Sequence, residues 1–143
     1  FDELEALGLI DSRRPKMFCV QSEVTTPLVR AFDEGADDTH ALPQTGPTIS
    51  TGLNVPAGVG QFRVLQVIRA SGGAAIAVSE ADTARELSQV WRERRHWISP
   101  EGAACLAALP QLLDRGLLRR SERVVAVNTG SLEKYLPDLR HLL

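Results

Sequence analysis

Asn128, Thr129, Gly130 and Ser131 follow directly on an apolar run, Val124 to Val127, within the stretch RVVAVNTGS. Near-continuous β-branched residues suit a strand buried on both faces of a helix-covered parallel sheet. The small hydroxyl residues and the glycine would then sit just past the strand's carboxyl end, the edge at which open α/β sheets bind ligands. Their chemistry is hydrogen bonding from hydroxyl groups rather than covalent attack. A second candidate, Thr48 to Leu53, has the small, polar character of a ligand-facing turn. A third is Ser99-Pro100-Glu101-Gly102-Ala103-Ala104, a helix start whose small residues allow close backbone approach and whose free N–H groups favour anions. From spacing alone, a well-capped core helix packed through Ala104, Cys105 and Leu106 is the stronger reading of that third segment.

Other chemistries find little support. His40, His96 and His141 are isolated, no histidine recurs at i+4 and no C-x-x-C occurs, so no metal site is expected and exposed or locally bonded histidines are. No G-x-S-x-G nucleophile elbow is present, and the glycines of Val55 to Gly60 lack phosphate-loop spacing. In WRERRHW, residues 91–97, aromatic and basic side chains interleave as on some nucleic-acid surfaces. Glu93 interrupts the charge, and a solvated helix end with one tryptophan packed inward is the better account.

The elements that must position these residues alternate between helix and strand, which argues for an α/β layer architecture. Phe1, Leu4, Leu7 and Ile10 have helical spacing, ended by Gly8 and Asp11 to Pro15. Lys16 to Gln21 reads as a buried strand, and Thr26-Pro27 opens a helix reaching about Phe32 and stopping at Gly35. Ala36 to Pro56 is irregular and long for a plain connection. Val59, Phe62, Leu65, Val67 and Ile68 describe an amphipathic helix closed by Ser71-Gly72-Gly73, and Ala74 to Val78 a second buried strand. Ser79 with Asp82 resembles a helix-opening box for a helix running to about Arg95. The helix after Pro100 must bend at Pro110 and stop at Gly116. A last amphipathic helix is expected over Leu132 to Leu143.

At 143 residues, 43% hydrophobic and 24% charged, the chain fits a single domain with a real core. A formal net charge of -2 gives no reason to expect a nucleic-acid partner, and no apolar stretch nears the ~20 residues that span a bilayer. No signal peptide is visible, and free buried thiols at Cys19 and Cys105, in a cytoplasmic setting, are expected over a disulfide. FDELEALGLI opens as if in mid-helix, so the chain is expected to be part of something longer.

Five segments, in order, resemble the carboxy-terminal half of threonine synthases. They are PKMFCVQSE with PLVRAFDEG, then TISTGLNVP, RVLQVIRASGGAAIAVSEADT, WISPEGAACLAAL and RVVAVNTGSLEKY. The resemblance covers nearly the whole chain. It implies a three-layer α/β/α architecture with a mostly parallel sheet, residues 1–143 forming part of the larger domain of the type II pyridoxal-phosphate fold. It also implies conversion of O-phosphohomoserine and water to threonine and phosphate, with pyridoxal phosphate as electron sink in the complete enzyme. In such enzymes a hydroxyl of the last loop bonds the pyridine nitrogen; Thr129 matches that position, with Ser131 the nearby substitute. The chain departs from the family in having only Lys16 and Lys134, neither matching the cofactor-lysine motif, so the Schiff-base lysine and the glycine-rich phosphate loop are expected upstream of Phe1. Ser99 replaces a frequent glutamate, and Leu132 replaces a frequent glycine. These 143 residues alone are therefore expected to be inactive, with no catalytic residue among them. The alternatives are a threonine or serine dehydratase-type ammonia-lyase, or a non-catalytic module binding a metabolite or partner chain. A small amino-acid substrate, association with the rest of its own enzyme or with itself, and no nucleic-acid or membrane partner complete the expectation.

Overall fold

The computed structural model describes all 143 residues. Two short strands, β1 (Cys19–Ser22) and β2 (Ala75–Val78), pair in parallel with Cys19 opposite Ala75 and Ser22 opposite Val78. Around them lie α1 (Asp2–Ala6), α2 (Pro27–Asp33), α3 (Gln61–Ala70), α4 (Glu80–Arg94), α5 (Pro100–Ala107), α6 (Leu109–Asp114) and α7 (Leu136–Leu139). Parallel pairing requires a crossover, and α2, the long 36–60 connection and α3 supply it.

Alternation along the strands divides the core. Ala74, Ile76 and Val78 pack with Ala104, Ala107, Ala108 and Leu112 of the α5–α6 region, joined by Phe18 and Val20. Cys19, one residue out of phase with Val20, instead meets Leu28, Ala31 and Leu65 of α2 and α3. Helices therefore cover both faces of the strand pair, the layered α/β arrangement expected. A third cluster joins Leu87 of α4 and Ile98 to Leu132, Tyr135 and Leu139. Ile76 is 0% exposed, a burial that contributes about 2–3 kcal/mol.

Local signals explain most boundaries. Ser79 caps α4, its Oγ accepting the Asp82 N–H at 3.0 Å and donating to Asp82 Oδ2 at 2.8 Å. Ser99 caps α5 by accepting the Gly102 N–H. The expected bend at Pro110 is a break: Ala108 closes α5 and opens α6, with Pro110 in the first turn. Gly8, Gly35 and Gly116 end their helices at positive φ. Arg95, at φ 50, does the same for α4 without a glycine, its guanidinium 5.5 Å from the Trp91 ring centre.

Three expectations are corrected. Val124 to Val127 is not a strand: the sheet has two strands, and Val124, Val125 and Val127 are 48%, 87% and 62% exposed. A β-branched run prefers a pleated, covered environment but cannot create one, and within this chain no neighbour pairs with it. The final helix is divided into a 3-10 turn at Leu132–Tyr135, α7 and another 3-10 turn at Arg140–Leu142. Pro137 lacks the N–H needed to continue the ladder there. Leu132, Tyr135 and Leu139 nevertheless bury the expected apolar stripe. In α3 the stripe is wider than the cover. Leu65 and Ile68 are buried, whereas Phe62 and Val67 are about half exposed and Val59 lies outside the helix. Cys19 and Cys105 are free and half-buried; burial, reinforced by Cys105, pushes the Cys19 thiol up to about 11.

The turn entering β2 clasps the chain entering β1. Ser71 Oγ accepts the Met17 N–H at 2.9 Å, and a Cβ on Gly73 would collide with the Met17 carbonyl oxygen. Gly73→Ala must displace backbone and is expected to cost about 3 kcal/mol in urea unfolding. Gly46→Ala, whose Cβ would meet only Val24 at 3.5 Å, is expected to stay within about 0.5 kcal/mol of the parent.

Candidate functional site

Both strands end at the same rim because they run in parallel, and polar side chains collect there. Gln21, buried near the end of β1, places Oε1 against the first N–H groups of α2, accepting from Leu28 at 2.9 Å and Val29 at 3.1 Å. Glu80 opens α4 immediately beyond β2. Its carboxylate accepts from Thr48 Oγ1 at 2.9 Å, from the Ile49 N–H at 2.8 Å and from the Ser22 hydroxyl. The long connection is thereby drawn over the strand ends, so Thr48 to Leu53 does lie at the rim, closing as a 3-10 turn at Thr51–Leu53. Ser50 in that turn is 1% exposed and its hydroxyl has no partner.

Glu101 is the second acidic hub. It occupies the first turn of α5, where a carboxylate faces the positive end of the helix. Its Oε1 accepts from the Gly52 N–H at 2.9 Å and from the Tyr135 hydroxyl at 2.5 Å. Burial pushes the Glu101 carboxyl up, but bonds from Tyr135, its own N–H and Gly52 outweigh that and hold it below the ordinary value. Gly52 is required by this approach, since a Cβ there would lie 2.7 Å from Oε1. Lys134 stacks on the Tyr135 ring with Nζ 4.6 Å from its centre.

The loop after Val127 reaches the same helix end. Asn128 Oδ1 accepts from the Ser99 N–H at 2.9 Å and from the Ser99 hydroxyl at 3.1 Å, while Nδ2 donates to the Gly130 carbonyl at 2.9 Å. Thr129 stands between these fixed neighbours and is exposed. Its hydroxyl does not close the bend, because the closing bonds run through Asn128 and through Ser131, whose Oγ accepts the Glu133 N–H at 3.2 Å. Thr129 and Ser131 thus lie beside the α5 amino end, together with the segment Ser99 to Ala104. Glu80, Glu101, Asn128 and Tyr135 organise this rim. Of these, Glu80 and Glu101 each offered a signal in the sequence as acidic residues in the first turn of a helix, and Asn128 as part of the small polar loop.

Comparison with known proteins supplies the class. Residues 4–130 match the family described as pyridoxal-phosphate dependent enzyme, and the chain belongs to that family. It is 34% identical to the threonine synthase of Methanocaldococcus jannaschii over 131 residues, 91% of this chain and 32% of that protein. With the threonine synthase of Methanosarcina acetivorans it shares 34% identity over 135 residues, 94% of this chain and 33% of that protein. The chain therefore spans about one third of the length of these relatives. Its fold is also that of a threonine deaminase from T.th., whose crystal structure it matches with a TM-score of 0.53 and 22% identity over 70% of this chain and 34% of that one. The cofactor of the family is pyridoxal phosphate.

Because the Glu101 carboxyl is depressed, its stabilising bonds are complete above the ordinary value of 4.5 and are lost as pH falls through the lower folded-state value. Glu101→Gln is expected to cost about 1–2 kcal/mol at neutral pH. That gap should narrow as pH drops below 4.5 in urea titrations. A gap independent of pH would contradict this account.

Proposed function

We propose that the polypeptide carrying this chain is a threonine-synthase-like lyase that converts O-phosphohomoserine and water to threonine and phosphate, in the cytoplasm. The observation that carries the reading is the exposed Thr129 hydroxyl, held at the strand-end rim in a bend closed by other residues. The identity to two threonine synthases over more than nine-tenths of the chain supports the same reaction.

The residues present fit one side of the cofactor. Thr129, with Ser131 beside it, would hold the pyridine nitrogen through a neutral hydroxyl. Pyridoxal phosphate supplies an electron sink for the substrate's α-carbon, and a hydroxyl partner leaves the ring nitrogen less protonated than a carboxylate would. Glu80 and Glu101 keep the 48–53 turn over the rim. Neither lysine is placed as the covalent tether: Lys16 Nζ donates to the Leu117 carbonyl at 3.1 Å, and Lys134 lies on the Tyr135 ring. The tether and the phosphate loop belong, in this proposal, to other parts of the polypeptide. Exposed Val124, Val125 and Val127 offer those parts, or a second copy, an apolar strip to cover.

The test is a product assay on the polypeptide that carries this chain, loaded with cofactor. Phosphate and threonine should appear in equal amounts from O-phosphohomoserine, and the 143 residues alone should release neither. Formation of a 2-oxo acid and ammonia from threonine or serine, with no phosphate released, would replace this reading with the dehydratase one.

A further inference from the structure

The segment leading into the Thr129 bend does not hold the bend in place. Val124, Val125 and Val127 are exposed and belong to no sheet, and the contact from Cys105 Sγ to the Val127 carbonyl is long, at 3.9 Å. On its amino-terminal side the bend is tied to the packed part of the molecule by one carboxamide, while on its far side the buried Leu132 follows Ser131. Asn128 takes both hydrogens that Ser99 can donate, from its backbone and its hydroxyl, and returns one bond to Gly130 on the far side of Thr129.

The anchor at the other end is rigid. Ser99 is 0% exposed and caps α5, its Oγ accepting the Gly102 N–H at 3.2 Å while donating to Asn128. Ala103, Ala104 and Ala107 of the same helix are buried. Close approach is built in: a Cβ on Gly102 would collide with Asn128 Oδ1. Ser99 and Gly102 thus form a notch in the helix end that a carboxamide oxygen fills.

We propose that Asn128 is the positioning residue that holds the Thr129 hydroxyl at the cofactor's ring nitrogen, acting through the bend and not by contact with the ring. This rests on the reading of Thr129 given above. An asparagine suits the task because one face accepts from two donors of a helix cap while the other donates to a carbonyl. Alanine would remove all three bonds and leave the buried Ser99 donors unpaired.

The experiment is a double-mutant cycle in the polypeptide that carries this chain, read by the dissociation constant for pyridoxal phosphate and by the pH midpoint of the bound cofactor's visible absorbance. Asn128→Ala is expected to weaken cofactor binding about tenfold, of the size of one to two lost hydrogen bonds, and to move the midpoint in the direction that Thr129→Ala moves it. In the Thr129→Ala background the same change should have less than about a twofold further effect, because the hydroxyl it positions is gone. Equal effects in both backgrounds, or no effect of Asn128→Ala, would overturn the inference alone. Unchanged affinity and spectrum in Thr129→Ala would overturn the ring-nitrogen reading and the inference with it. Should Asn128→Ala not fold, Asn128→Asp enters the same cycle. It keeps both bonds from Ser99 and loses only that to Gly130, with about a threefold loss expected and the same dependence on Thr129.

Discussion

A carboxylate taken from water is tolerated only when fixed donors replace the solvent, and Glu101 shows how much structure that condition can organise. Its donors come from the 48–53 turn, from the carboxy-terminal Tyr135 and from its own helix. Three pieces of chain far apart in sequence must meet for the charge to be satisfied. Gly52 lacks a side chain because the carboxylate occupies that space, and Tyr135 reaches it because Leu132, Tyr135 and Leu139 are buried beside Leu87. Glu80 repeats the device one helix earlier and fixes the other end of the same turn. The rim of the sheet is therefore arranged by acidic side chains whose partners lie within the protein.

Small residues make that arrangement close. Alanines at 104, 107 and 108 bring α5 down onto the strand pair, Ala103 meets Leu87 and Leu132, and the amino end of α5 then stands beside the strand ends. Gly102 and Ser99 at that end admit the Asn128 carboxamide. A larger residue at any of these places would hold helix, turn and bend apart. The layered architecture, the helix cap and the hydroxyl-bearing bend are in this sense one packing solution.

Ser79 with Asp82, Ser99 with Pro100, and Gly116 each act through neighbours within four positions, so each is legible and behaves as read, whereas Pro110, read as a bend, breaks the helix in two. Val124 to Val127 was misread as a strand, because the β-branched signal describes an environment that other chain must provide. The stripe of α3 was overestimated for a related reason: Phe62 and Val67 have the right spacing, yet nothing here covers them. Asn128, Thr129 and Ser131 could be picked out as residue types, but the bonds by which Asn128 holds the bend could not. Asn128 meets Ser99, 29 positions away, only after α5 has docked.

What the sequence determined by itself is what short-range sterics and hydrogen bonding control: helix caps, glycine stops, proline breaks and the periodicity of most buried faces. It also carried the family resemblance, since ordered motifs need no coordinates to be recognised. Tertiary structure alone decided which polar groups became partners. Glu101 with Gly52 and Tyr135, Glu80 with Thr48 and Ile49, and Asn128 with Ser99 are joined across 49, 34, 32, 31 and 29 positions, respectively. Such pairings are selected by which donors remain unsatisfied once the apolar faces have packed, a condition that has no local signature.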